Sequence, residues 1–193
     1  MQKKLMKTEI GGIFFVILLS LFLQNLHSLC EREIIGVMFG SVNDSIWETA
    51  KTILLSYFLW SMIELLGLQP PFRKFVIIKT LTLYYLGLSY IVLCLIFSLF
   101  GSDTHYIAEF TFSLISIIST FFLSYRLNLS EISFNHLFAP SIFLLFLFGA
   151  FYFSFTPFPP QNYVFMDRAT CLYGIIPENI DEGAIVLDTL YYV

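Results

Sequence analysis

Residues 50–100 read AKTILLSYFLWSMIELLGL, then QPPFRK, then FVIIKTLTLYYLGLSYIVLCLIFSLF, and these three segments decide the fold. The two long segments are apolar on every side of a helix and carry charges at Lys51, Glu64 and Lys79. A helix that is apolar all round is buried or lies in a membrane, and about 20 such residues cross a bilayer core of about 30 Å. Because the linker is short and contains Pro70 and Pro71, the sequence predicts two antiparallel membrane-spanning helices.

The composition of the whole chain agrees with this prediction. Of its 193 residues, 58% are hydrophobic and 12% are charged, and the mean hydropathy is +0.80. A soluble domain has about 25% charged residues, so this chain has too few charges to solvate the surface of a globule. The composition excludes a soluble globule, a disordered chain and a nucleic-acid binder that relies on basic charge. The expected partner is the lipid bilayer.

Five apolar stretches are long enough to cross a membrane. The predicted fold class is an all-α, polytopic integral membrane helical bundle of about five transmembrane helices, with spans at residues 10–29, 50–68, 75–100, 106–127 and 138–155. No A-x-A cleavage site follows the first span, so we predict a retained helix rather than a signal peptide. The apolar patch at residues 34–39 is too short to span and is expected to lie at the interface or to re-enter the membrane.

The chain divides into a single transmembrane domain, residues 1–160, and an acidic, solvated extramembrane tail, residues 161–193. The net charge of −4 falls in this tail, because nine basic and nine acidic side chains cancel in residues 1–166. With the N-terminus in the cytoplasm, six bases lie inside and three outside, as the positive-inside rule requires. We therefore predict a multi-pass protein of the cell membrane, with a cytoplasmic N-terminus and an extracytoplasmic tail.

Two ionisable residues, Glu64 and Lys79, fall within adjacent antiparallel spans. Glu64 lies about 21 Å from the start of its span and Lys79 about 6 Å from the start of the next, at a helical rise of about 1.5 Å per residue. Both therefore lie in the part of the bilayer nearest the linker, where an ionised side chain is costly. Two interpretations stay open: a structural ion pair, in which Lys79 reaches towards the interface, and part of a proton or ion path.

At the opposite end of the spans, two histidine–glutamate pairs have i, i+4 spacing: His27 with Glu31, and His105 with Glu109. This spacing places both side chains of a pair on one helix face. Glu48 lies at a similar depth, and imidazole with carboxylate is a typical ligand set for divalent metals. Either these residues are solvated separately at the interface, or they form a metal or acid–base site.

The segment before the second span predicts a helix start at the membrane surface. Ser45 and Glu48 have the spacing of a capping box, with Asn43 or Asp44 as alternative caps. Lys51 is three residues beyond Glu48 and is close enough to pair with it.

We expect three of these polar residues to converge beneath the loop that follows the first span, namely His27, Glu31 and Glu48. Asn43 is expected to orient that loop over them. Trp47 suits the aromatic belt of a membrane interface.

The run GSVNDSIWETAK, residues 40–51, resembles the signature VNESVWEHxK of an uncharacterised family of small multi-pass bacterial membrane proteins. LHSLCE at residues 26–31 resembles that family's LHxxYE, and Asp167 with YGI at residues 173–175 resembles its end. The resemblance implies a membrane bundle of unknown function and names no substrate. Thr49 replaces the family's histidine, so any role of that histidine as ligand or base is absent here. The resemblance directs attention to His27, Glu31, Asn43, Trp47, Glu48 and Lys51.

Three functions stay open: binding of an ion or small polar ligand at the outward cluster, a metal-dependent intramembrane enzyme, and an accessory or scaffold protein. The sequence contains no nucleotide-binding glycine loop, HExxH or GxSxG motif, so no cofactor is predicted. Cys30, Cys94 and Cys171 lack zinc-ligand spacing.

Overall fold

The computed structural model describes residues 2–31, 33–99, 106–130 and 135–176. Within these residues the fold is all-α, and five helices are long and apolar enough to cross a membrane. The chain is therefore a multi-pass membrane protein, and the predicted fold class is confirmed. The helices are α1 (Gln2–Leu29), α2 (Ile34–Phe39), α3 (Ile46–Leu68), α4 (Phe72–Ser98), α5 (Tyr106–Leu129) and α6 (Phe138–Ser154), and a short 3-10 helix (Asn135–Leu137) precedes α6.

Four of the long helices form a ring, and the fifth packs outside it. Helix α1 packs against α3 and α5, while α4 packs against α3, α5 and α6. The starts of α4 and α6 lie at one end of the bundle, which we call the hairpin end. The start of α3 and the ends of α1 and α6 lie at the other, which we call the cap end. Residues 155–176 follow α6 and pack on the cap end, and they are called the tail segment below.

The apolar patch at residues 34–39 forms α2, a short helix that lies against the end of α1. Glycines allow this close approach, because a Cβ atom at Gly36 would lie 2.9 Å from His27 Cα and one at Gly40 would lie 2.8 Å from His27 N. Small residues allow helices to pack backbone to backbone in the same way. The predicted interfacial or re-entrant segment is thus a helix, and it lies on α1.

The interior of the ring is partly polar, and its outer surface is apolar. Tyr57 is fully buried beside Phe121, and their ring centroids are 5.3 Å apart. Large apolar side chains such as Phe14, Leu88 and Phe146 are more than half exposed. Such a surface suits contact with lipid, since hydrocarbon cannot satisfy polar groups.

Helix α1 packs closely against its neighbours α3 and α5 at Gly12. A Cβ atom there would overlap the rings of Trp60 in α3 and Phe121 in α5, whereas one at the neighbouring Gly11 would lie 3.8 Å from Trp60, an ordinary contact. We therefore expect Gly12→Ala to destabilise the bundle by about 1–3 kcal/mol, the usual cost of overpacking. Gly11→Ala is the matched control and should leave the melting temperature of the detergent-purified protein unchanged. Equal melting temperatures for the two variants would contradict this packing.

Candidate functional site

Glu48 and Lys51 form a buried ion pair at the cap end of α3. Lys51 Nζ lies 2.6 Å from Glu48 Oε2, and the two side chains are 0% and 3% exposed. Thr156 in the tail segment bridges the pair: its hydroxyl donates to Glu48 Oε1 at 2.7 Å and accepts from Lys51 Nζ at 2.9 Å. The predicted pairing of Glu48 with Lys51 is confirmed, and a residue 105 positions beyond Lys51 completes the cluster.

The start of α3 is capped by the predicted serine. Ser45 Oγ accepts from the N–H of Glu48 at 3.3 Å. The Glu48 side chain bonds differently from a capping box, because its Oε2 accepts from the N–H of Val42 at 3.1 Å. The Ser45 N–H donates instead to Asn43 Oδ1 at 3.0 Å. The Glu48 carboxylate thus also anchors the loop before α3.

The tail segment is tied to this loop by two side chains. Asn43 Nδ2 donates to the carbonyl oxygen of Gly174 at 2.8 Å, and Asp167 Oδ1 accepts from the N–H of Asp44 at 2.8 Å. Asp167 Oδ2 accepts from the N–H and the hydroxyl of Thr170, at 2.8 and 2.7 Å. Gly174 has a φ of +74°, in the left-handed region that favours glycine. Asn43 therefore holds the loop to the tail segment, a role different from the expected one of orienting it over His27, Glu31 and Glu48.

Trp47 packs under the tail segment. Its backbone N–H donates to the carbonyl oxygen of Val164 at 3.0 Å, and its ring lies 5.1 Å from that of Phe155 and 5.3 Å from that of Phe165. Phe165 and Asp167 are 8% and 3% exposed. Aromatic packing and the Asp167 bonds therefore hold residues 161–176 on the bundle, although seven of these residues are exposed. Residues 177–193 lie outside the described residues.

Glu109 in α5 forms an ion pair with Arg168 of the tail segment. Glu109 also faces a cavity of about 350 Å³ that lies between α1, α5 and the start of α3. Eight polar side chains line this cavity, and so do four apolar ones. The polar residues are Ser20, Gln24, Asn25, Ser41, Asp44, Thr49, Glu109 and Ser113.

Several of these polar groups already donate their hydrogen atoms to the backbone. Ser20 Oγ donates to the carbonyl oxygen of Ile17 at 3.0 Å, and Ser113 Oγ to that of Phe110 at 2.7 Å. Asn25 Nδ2 donates to the carbonyl oxygen of Leu21 at 2.9 Å. The hydroxyl and amide oxygens keep lone pairs, so these side chains offer the cavity hydrogen-bond acceptors.

The expected convergence of His27, Glu31 and Glu48 does not hold for the two carboxylates. Glu31 is exposed beyond the end of α1, with a φ of +47°, whereas Glu48 is 2% exposed and bound by its three partners. The two carboxylates are therefore not brought together, because the i, i+3 ion pair turns Glu48 into the bundle. His27 is half-buried against α2, and His105 lies outside the described residues. Among the described residues, no group of three His, Cys, Asp or Glu is placed to hold a metal ion.

Glu64 and Lys79 pair near the hairpin end, as predicted, with Lys79 Nζ 2.6 Å from Glu64 Oε2. Sequence reasoning missed a third member, Glu9 in α1, whose Oε1 lies 3.4 Å from Lys79 Nζ. Glu9 lies just before the first predicted span, and α1 in fact begins at Gln2.

The other residues that sequence reasoning missed are in the tail segment. Arg168 is the one base among five acids from Asp167 onward, and this exception in charge was a usable signal. Thr156 carried no such signal, since a lone threonine near the end of an apolar span is ordinary.

No family model, curated protein or solved structure matches the chain. The resemblance of residues 40–51 to an uncharacterised bacterial family stays a prediction.

The buried pair of Glu48 and Lys51 predicts strong coupling between the two side chains. Removing one partner leaves an uncompensated charge, which typically costs about 3–5 kcal/mol. We expect Glu48→Gln and Lys51→Met each to destabilise the protein, and the double variant to cost less than their sum in a double-mutant cycle. Glu33→Gln, at an exposed position in the same part of the chain, is the control and should change stability by less than about 0.5 kcal/mol. Additive losses would contradict the pairing.

Proposed function

We propose that the protein binds a small polar cation in the cavity beside Glu109, and that the binding group of this ligand is a protonated amine. The observation that carries the proposal is the polar lining of this cavity within a bundle whose surface is otherwise apolar. Its volume of about 350 Å³ falls in the range of small-molecule sites, about 300–1,000 Å³. Polar side chains are costly inside a membrane bundle and mark functional sites by default.

The chemistry of the lining favours a ligand that donates hydrogen bonds. Two acidic residues, Asp44 and Glu109, line the cavity, and Arg168 pairs with Glu109 at its rim. Ser20 and Ser113 add acceptor oxygens, because their hydroxyl hydrogen atoms are donated to helix carbonyl groups, and Asn25 adds its amide oxygen. An ammonium group supplies the N–H donors that the acceptor oxygens of this lining can satisfy.

The tail segment contacts two of the residues that line this cavity, Asp44 and Glu109. Arg168 pairs with Glu109 at the rim, and Asp167 holds the backbone of Asp44. Arg168 thus positions the Glu109 carboxylate, and Asp167 positions the backbone of Asp44. A preorganised site loses less conformational freedom when a ligand binds.

We also propose that the cap end faces the outside of the cell. The support is the distribution of basic residues, six on the N-terminal side and three on the other. In this orientation the cavity draws its ligand from outside the cell, and the hairpin end is cytoplasmic.

Thermal unfolding of the full chain in detergent tests the ligand. Ethanolamine and putrescine should raise the melting temperature, by about 3–6 °C at a tenfold excess over Kd. Tetramethylammonium has the charge without N–H donors and should act more weakly, and acetate should have no effect. Ser113→Ala should weaken amine binding about tenfold, since it removes one hydrogen bond to a charged group.

Ser119→Ala is the matched control for this experiment. Ser119 lies on the same helix and donates to the carbonyl oxygen of Ser116 at 3.0 Å, but it does not line the cavity. Its affinity for amines should equal that of the wild type. The proposal fails if no amine stabilises the protein, or if the two variants bind amines equally.

The orientation is tested by labelling intact cells with a membrane-impermeant thiol reagent. In a background without Cys30, Cys94 and Cys171, Phe158→Cys at the cap end should be labelled directly. Asn135→Cys at the hairpin end should be labelled only after permeabilisation. Both positions are exposed and uncharged, so neither substitution disturbs the charge bias. The reverse pattern would overturn the orientation.

A further inference from the structure

We propose that the charged cluster at the hairpin end, formed by Glu9, Glu64 and Lys79, is a proton-binding site that holds one proton on Glu9 in the resting protein. The three side chains come from α1, α3 and α4 and meet inside the four-helix ring. Their charges do not balance, since two carboxylates face one ammonium group. This site lies at the opposite end of the bundle from the Glu109 cavity and does not depend on it.

Lys79 compensates one of the two carboxylates much better than the other. Its Nζ lies 2.6 Å from Glu64 Oε2 but 3.4 Å from Glu9 Oε1. It also donates to Ser124 Oγ at 2.9 Å. Its three N–H groups therefore each have an acceptor, in Glu64, Ser124 and Glu9. Glu64 is therefore the ionised partner of Lys79.

One carboxylate oxygen of Glu9, Oε2, has no hydrogen-bond donor beside it among the described residues. Its side chain is 5% exposed, and its Oε1 accepts from the hydroxyl of Ser124 at 2.8 Å. Among the described residues, its Oε2 has no hydrogen-bond partner. An ionised carboxylate so placed bears the full cost of desolvation, whereas a protonated one does not. The proton therefore resides on Oε2, the oxygen that accepts no hydrogen bond.

The groups around Glu9 favour the same state. Glu64 is a second negative charge in the cluster, and two nearby carboxylates do not both ionise easily. Tyr57 lies beneath Lys79 Nζ, 5.6 Å from its ring centroid, and its hydroxyl bonds to that of Thr82 at 2.7 Å. Phe75 and Phe121 also lie within 6 Å of Lys79 Nζ and exclude water from the cluster.

The number of protons bound by Glu9 and Glu64 is tested by the melting temperatures of variants in which single carboxyl groups are neutralised. If the two carboxyl groups hold one proton and this proton is on Glu9, the Glu9 side chain is already neutral. Glu9→Gln then exchanges a neutral carboxylic acid for a neutral amide and should leave the melting temperature unchanged. Glu64→Gln should cost little, because Glu9 can give up its proton and pair with Lys79. The double variant leaves Lys79 unpaired and should melt about 6–15 °C lower. A loss in Glu9→Gln as large as that of the double variant would overturn the proposal.

Infrared spectroscopy of the full-length protein reads the proton directly. Wild type at neutral pH should show the carbonyl stretch of a buried protonated carboxyl group, shifted by labelling with 13C-glutamate. Glu9→Gln and Glu64→Gln should each lose this band, while Lys79→Met should double it, since both carboxyls are then neutral. Glu33→Gln, at an exposed site, should keep it. Absence of the band in wild type overturns the proposal even if a variant fails to fold.

A small monovalent cation is the competing occupant of the cluster. Replacing sodium chloride with choline chloride at constant ionic strength should leave the melting temperature of wild type unchanged if the occupant is a proton. A sodium-dependent melting temperature that disappears in Glu9→Gln would show that a cation, not a proton, balances the charge.

Discussion

The structure depends on one constraint: lipid hydrocarbon does not solvate an ionised side chain. Each charged side chain inside the bundle therefore needs a charged or hydrogen-bonding partner that is also inside the bundle. At the cap end the charge of Glu48 is met by Lys51, three residues away on the same helix. At the hairpin end the positive charge of Lys79 in α4 is compensated by Glu9 in α1 and Glu64 in α3. The contacts at the hairpin end specify that α1, α3 and α4 are neighbours, whereas apolar packing alone tolerates many arrangements of lipid-facing helices.

The cap end shows how a polar cluster can organise more than its own charges. The hydroxyl of Thr156 forms hydrogen bonds with both Glu48 and Lys51. The chain that leaves α6 must therefore pass directly over the start of α3. From there the tail segment reaches α5 through Arg168 and the loop before α3 through Asp167. The cavity beside Glu109 lies between α1, α5 and the start of α3, and two of its lining residues, Asp44 and Glu109, contact the tail segment.

The two ends of the bundle differ in how their charges balance. Each acid of the cap-end pairs has its own base, Lys51 for Glu48 and Arg168 for Glu109. The hairpin-end cluster has one base for two acids: Glu64 Oε2 pairs with Lys79 Nζ, whereas Glu9 Oε2 has no hydrogen-bond partner among the described residues. A balanced pair fixes geometry and resists titration, while an unbalanced cluster can gain or lose a proton at moderate cost. The same residue types therefore suit anchoring at one end and proton binding at the other.

The sequence by itself determined the five long helices, the cap at Ser45 and the pairing of Glu48 with Lys51. Each of these depends on residues that are close along the chain: span length and hydropathy, a capping serine, and an i, i+3 pair on one helix face. The pairing of Glu64 with Lys79 was also predictable, because a short turn forces their helices to be neighbours. The tertiary structure alone decided that Thr156, Arg168 and Glu9 join these sites, and that Glu31 stays exposed outside them. These contacts join residues 59 to 108 positions apart, and nothing in local periodicity records which distant helices meet or how each is rotated about its axis.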